Sequence, residues 1–135
     1  MAGLAPLRIL ETCLYATDLE AARAFYQHVL ELTMVSRVPG RHIFFRCGNG
    51  VLLVFHPGTT SIPGGSVPPH GADGPGHVAF GVSLDDLLIW KAHLLARGVP
   101  IEAEVEWPSG GKSVYFRDPA GNSLELATPA TWGIE

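Results

Sequence analysis

The chain repeats itself, and that repetition constrains its fold more than any other feature. Residues 8–16 (RILETCLYA) form an extended, largely apolar run. Thr17-Asp18-Leu19-Glu20 follows, a hydroxyl with a carboxylate three residues later, which satisfies the orphan amides of a helix start. Leu19, Ala22, Tyr26, Val29 and Leu30 then recur at helical spacing, predicting an amphipathic helix through about Leu32. Strands are expected at 33–38, 42–46 and 51–56, with Pro39-Gly40 and Cys47-Gly48-Asn49-Gly50 as turns. The same order returns at 76–128. It has a strand at 76–82, a capping box at Ser83-Leu84-Asp85-Asp86, a helix stopped by Gly98, and strands at 101–105, 113–117 and 123–127. Glu11 and His77 stand at an offset of 66, while Arg46, Gly50 and Val54 align with Arg117, Gly121 and Glu125 at 71. Five residues inserted in the loop 106–112 account for the difference. A unit of this size cannot bury its own sheet face alone, so two copies imply one domain.

The expected domain covers residues 1–135, with a first β-α-β-β-β module at about 8–56 and a second at about 76–128. Residues 57–75, rich in Gly, Pro and Ser and without periodicity, read as a connector between them. The fold class is α+β, with two curved mixed sheets forming a cup and the helices outside.

Composition narrows the partners. Hydrophobic residues make up 47% of the chain and charged residues 16%, as in a globular domain. A net charge of −4 with 9 basic residues leaves no electrostatic footprint for nucleic acid or an anionic membrane. No secretory signal or membrane-length apolar run is visible, and Cys13 and Cys47 read as reduced thiols. A soluble cytoplasmic protein is expected. Pro108-Ser109-Gly110-Gly111-Lys112-Ser113 imitates the end of a phosphate loop, but Glu106 stands where its first glycine belongs and a strand follows. No HExxH, G-x-S-x-G or CxxC motif occurs.

Strand parity sorts the remaining side chains, because successive residues face opposite ways. Leu10, Thr12 and Leu14, with Val78, Phe80 and Val82, are expected against the helices. Glu11, Cys13 and Tyr15 then share the other face, as do His77, Ala79 and Gly81 in the second copy. Ser123, Glu125 and Ala127 lie opposite Leu124 and Leu126. Glu11, His77 and Glu125 therefore leave the face that helices do not cover. Two carboxylates and a neutral imidazole around one divalent cation form a neutral cluster, whereas carboxylates left buried without a partner cost several kcal/mol. The plainer alternative has Glu11 meeting an arginine, His77 bonding a backbone carbonyl and Glu125 in solvent.

The runs ILETCLYATDLEAARAFYQHVLEL, GHVAFGV and YFRDPAGNSLELA resemble the vicinal-oxygen-chelate superfamily, which includes glyoxalases, bleomycin-resistance proteins and extradiol dioxygenases. The resemblance implies a glyoxalase-like fold over about residues 8–128. It also implies one divalent ion per site (Ni, Co, Mn, Fe or Zn), held by Glu11, His77 and Glu125. By the offset of 71 the family's remaining ligand position falls at Val54, which is apolar; His56, two residues on, is a candidate replacement. Glu11 stands where the dioxygenases carry a histidine.

The implied activity is a metal-dependent lyase or isomerase acting on a small molecule held through vicinal oxygens. The metal would act as a Lewis acid, with Glu125 or Glu11 shuttling a proton. Tyr15, Arg46, Tyr115 and Arg117, with His56, are candidate substrate contacts; Arg46 and Arg117 could instead pair with acids at strand ends. A second implied possibility is a metal-free binder of flat organic molecules, for which Phe44, Trp107 and Trp132 are available; Phe116 has helix-side parity. The resemblance also implies a homodimer, since related chains of this size commonly share their sites between subunits; sites within one chain are the alternative.

Overall fold

The first half of the chain builds its sheet in the order the repeat predicts. β1 (Glu11–Tyr15) is followed by α1 (Leu19–His28), β2 (Thr33–Val38), β3 (His42–Cys47) and β4 (Gly50–Phe55). The computed structural model describes residues 3–134, which divide into two compact units between Ala72 and Asp73. In the first unit the strand order is β1-β4-β3-β2, with β1 and β4 parallel and the others antiparallel. One face of this sheet carries Leu14, Ile43, Phe45, Leu52 and Val54, all buried, and α1 lies against β3 and β4. Its Tyr26 ring meets Phe45 at 5.4 Å.

The N-cap of α1 is Asp18 rather than Thr17. Its Oδ1 accepts from the Ala21 amide at 3.0 Å, and a carboxylate is the better acceptor at a positive helix end. Glu20, expected to complete a capping box, instead pairs with Arg23 and Arg37. The helix stops at His28, short of Leu32, because Glu31 turns left-handed (φ 56) and the Leu32 amide bonds back to the Tyr26 carbonyl.

The segment after β4 is more ordered than a connector composition suggests. His56 caps a short helix, α2 (Pro57–Thr60), by accepting from the Gly58 amide at 3.0 Å. The His70 amide donates to the Thr60 carbonyl at 2.9 Å, and its ring packs edge-on against Phe55. Most of the stretch therefore belongs to the first unit.

The second unit contains β5 (His77–Gly81), α3 (Leu84–Ala96), β6 (Ala103–Glu106), β7 (Lys112–Arg117) and β8 (Ser123–Ala127). Its strand order is β5-β8-β7-β6, the first pair parallel. Ser83 caps α3 as expected, accepting from the Asp86 amide. At the far end Gly98 (φ 74) lets its own amide and that of Val99 close on the Leu95 and Leu94 carbonyls, a Schellman stop. Val114, Phe116, Leu124 and Leu126 fill the helix side of the sheet. Here α3 stands off: only Leu87 and Leu94 are buried, and a groove of about 610 Å³ separates it from β6 and β7. The ion pair between Lys91 and Glu104 bridges that groove.

The fold is thus α+β, two β-α-β-β-β units each with an open four-stranded mixed sheet. No helix among the described residues is long and apolar enough to cross a membrane.

The pairing corrects the repeat register. Arg46 faces Val51 as Arg117 faces Ser123, so the offset is 71 on one side of the hairpin and 72 on the other. The turn Asp118-Pro119-Ala120-Gly121-Asn122 is one residue longer than Cys47-Gly48-Asn49-Gly50. The counterpart of Glu125 is therefore Leu53, which pairs with Cys13 as Glu125 pairs with Ala79. Val54 lies on the helix side, 0% exposed, and His56 is past the strand end.

Candidate functional site

The longer turn holds the start of β5 in place. Asp118 Oδ1 accepts from the Ala120 and Asn122 amides at 3.0 and 2.9 Å, and its Oδ2 accepts from Asn122 Nδ2 at 2.9 Å. Asn122 Oδ1 in turn accepts from the Gly76 amide at 2.7 Å, and the Ser123 amide donates to the Gly76 carbonyl. Both side chains are buried. These bonds fix the residue before His77 against the residue before Ser123, which explains the DPAGN run in physical terms.

His77 and Glu125 meet as a result. His77 Nδ1 lies 2.9 Å from the Ser123 carbonyl oxygen, which can only accept, so Nδ1 carries a proton. In the neutral ring Nε2 is then a bare lone pair, and it lies 3.3 Å from Glu125 Oε1. Two lone pairs facing each other at this distance repel unless a proton or a cation lies between them. The separation also lets one ion reach both atoms at the roughly 2.0–2.2 Å of first-row metal bonds. A ring nitrogen fixed by a backbone carbonyl is the support that metal-bound histidines use. The donor set therefore fits a divalent ion.

Glu125 is 7% exposed, so its charge needs compensation. Ser113 Oγ donates to Oε2 at 2.5 Å and itself accepts from Trp107 Nε1 at 2.8 Å. Tyr115 borders the pair, its ring stacked on His77 at 6.3 Å between centroids. Burial pushes its phenol pKa up, and the charge and hydrogen bond of Glu125 push it further. Arg117, by contrast, is held by Glu102 at 3.1 and 3.0 Å and by the Gly121 carbonyl, the alternative in which it serves the strand end.

In the first unit Glu11 is exposed at the start of β1, and among the described residues it forms no ion pair. Val51 and the exposed Arg46 complete its row across the sheet. Tyr15, four residues on from Glu11, bonds His70 Nδ1 at 2.7 Å. Burial first, then the Cys13 thiol through a hydrogen bond and its charge, push the Tyr15 pKa up to about 12. The same face holds Phe55, Phe44 and His42, the last two stacked at 3.8 Å. His42 is buried, bonded to Ser36 Oγ and Arg41, and burial and the Arg41 charge lower its pKa. Cys13 and Cys47 are free thiols.

Of the sites expected from sequence, the structure brings together His77, Glu125 and Tyr115, and places Glu11, Tyr15 and Arg46 on one face of the first sheet. It does not bring His56 there, since that ring caps α2. Among the described residues no group of three or more His, Cys, Asp and Glu side chains gathers to hold a metal. Of the aromatic candidates, Phe116 is core, Trp132 is exposed and Trp107 serves Ser113. Sequence reasoning missed Ser113, His42 and His70. Parity applied to β7 finds the first, because Ser113 shares its face with Tyr115.

Comparison with known proteins places this arrangement. Residues 8–126 match the model of the Glyoxalase/Bleomycin resistance protein/Dioxygenase superfamily. A lactoylglutathione lyase from Agrobacterium tumefaciens is 44% identical, with TM-score 0.92 over 96% of this chain and 98% of that one. A glyoxalase/bleomycin resistance protein/dioxygenase from Nocardioides is 25% identical, with TM-score 0.74 over 93% and 85% of the two chains. TioX from Micromonospora sp. ML1, 23% identical with TM-score 0.71 over 88% and 96%, shares the fold. No curated protein sequence matches the chain. The chain belongs to the Glyoxalase/Bleomycin resistance protein/Dioxygenase superfamily.

Proposed function

We propose that the protein is a divalent-metal-dependent lyase or isomerase of the glyoxalase kind, acting on a small molecule through two adjacent oxygens. The observation that carries this reading is the bare His77 Nε2 facing Glu125 Oε1 at 3.3 Å, with the other ring nitrogen committed to a carbonyl. These two residues would hold the ion, and Glu11 is the third ligand, from the same chain or from the partner in a cytoplasmic homodimer. Bound there, the metal supplies Lewis-acid polarisation of a substrate oxygen. Ni, Co, Mn, Fe and Zn all suit such a set.

The rest falls to the chain's own groups. Glu125, or Glu11, carries a proton between adjacent substrate carbons, the task of a carboxylate held close to the reacting atoms. Tyr115 stays a phenol through the physiological range, bonds Glu125 and borders the substrate beside His77. Tyr15 and Arg46, on the face that carries Glu11, contact the remainder of the substrate. The kinship with the Agrobacterium enzyme favours an acyl-thioester product of the lactoylglutathione type, whose lactoyl group bears a hydroxyl and a carbonyl oxygen on adjacent carbons.

The test is a lactoylglutathione lyase assay before and after chelation. Activity that disappears with chelator and returns with Ni, Co or Zn supports the reading; activity indifferent to chelator contradicts it. A second reading, a metal-free binder of flat organic molecules, draws on the aromatic group Tyr15, Phe44, Phe55 and His42. It predicts no turnover, and ligand affinity unaffected by chelator.

A further inference from the structure

Ser113 has one proton to give, and the structure settles where it goes. The Trp107 indole nitrogen is a donor with no accepting lone pair, so at 2.8 Å it must donate to Ser113 Oγ. The serine proton is thereby turned toward Glu125 Oε2, 2.5 Å away. Ser113 is almost wholly buried and has no solvent to bond instead. Oε2 is thus engaged from the β7 side, while Oε1 faces His77 Nε2. The carboxylate cannot rotate without breaking the Ser113 bond inside a buried site, where each unmade bond is costly.

We infer that Ser113 and Trp107 are positioning residues for Glu125: they hold Oε2 and present Oε1 as the single oxygen that shares an ion with His77. This rests on the metal-site reading above. It assigns to Trp107 a role no part of that reading requires, since its indole nitrogen bonds Ser113 rather than a proposed ligand. Partners of this kind behind a ligand shift metal affinity by about 10–100-fold. The relay also links the ion to an indole N–H, so binding at Oε1 changes electron density along Glu125, Ser113 and Trp107.

The experiment is a Zn²⁺ titration of ¹⁵N-indole-labelled protein, with the Trp107 resonance assigned by its loss in Trp107→Phe. Zn²⁺ should move that resonance in the native protein and leave it still in His77→Ala. Ser113→Ala should bind Zn²⁺ about 10–100-fold more weakly. Trp107→Phe, which keeps the serine hydroxyl but frees its proton, should fall between the two, and it serves if Ser113→Ala fails to fold. Native binding with an unmoved Trp107 resonance and unchanged affinity in the variants overturns the relay and leaves the metal reading standing. No Zn²⁺ binding by the native protein overturns both.

Discussion

Leu53 faces Cys13 across the parallel β1–β4 pair in the same register in which Glu125 faces Ala79 across β5–β8. One side chain is apolar and the other carries a carboxyl group, so the two units share a frame but not a chemistry. Leu53→Glu should place a carboxylate relative to Glu11 as Glu125 is placed relative to His77. The two acids repel without metal, so this variant should melt lower than the parent and regain stability when Ni²⁺ or Zn²⁺ is added. Val54→Glu should melt lower still and regain nothing, because that position faces α1 and a charge there has no partner. Paired melting curves with and without metal distinguish the two. Recovery by Val54→Glu and not by Leu53→Glu would show the register to be wrong.

The turn that begins β8 should matter more than its surface position suggests. Asn122→Ala removes two hydrogen bonds made by a buried side chain, one from the Gly76 amide and one to the Asp118 carboxylate, at a cost of about 2–4 kcal/mol. Because the same bonds set His77 beside Ser123, metal affinity should fall along with stability. Urea unfolding and a Zn²⁺ titration read the two effects. A cost below about 0.5 kcal/mol, the level of ordinary surface substitutions, would contradict this account of the turn.

Gly111 is required by a close approach. A Cβ there would stand 2.2 Å from the Thr131 amide nitrogen and 2.4 Å from its Cα, both backbone atoms. Gly111→Ala should therefore push the helical turn Pro129–Thr131 off the start of β7 and destabilise the protein by about 1–3 kcal/mol. A melting temperature unchanged from the parent would show that the C-terminal turn gives way freely.

Tyr15 should leave a mark on alkaline stability. Its pKa is raised from 10.0 to about 12, so the folded state keeps a proton that the unfolded chain releases. The contribution is fully present below pH 10 and is lost as pH rises toward 12. The stability margin of the native protein over Tyr15→Phe should shrink across that window. A margin constant from pH 9 to 12 would contradict the perturbed phenol.

Much of this was legible in the sequence because periodicity and caps act locally. The two modules, the Ser83 cap and the Gly98 stop follow from residues within one turn of each other. Parity alone put His77, Glu125 and Tyr115 on one sheet face. What failed depended on counting through turns: one extra residue between Arg117 and Ser123 moves the counterpart of Glu125 from Val54 to Leu53. Long-range hydrogen bonds were equally hidden. Nothing near Ser113 announces that Trp107 will direct its proton, and nothing in the glycine-rich stretch announces that His70 will return to Tyr15.

The central claim is that His77 and Glu125 hold a divalent ion, and metal content tests it most directly. Protein purified without added metal or chelator should be analysed by elemental mass spectrometry beside His77→Ala prepared in the same way. The account predicts close to one equivalent of a first-row divalent metal per chain in the native protein and almost none in the variant. Equal metal content in the two proteins, or none in either, would contradict it.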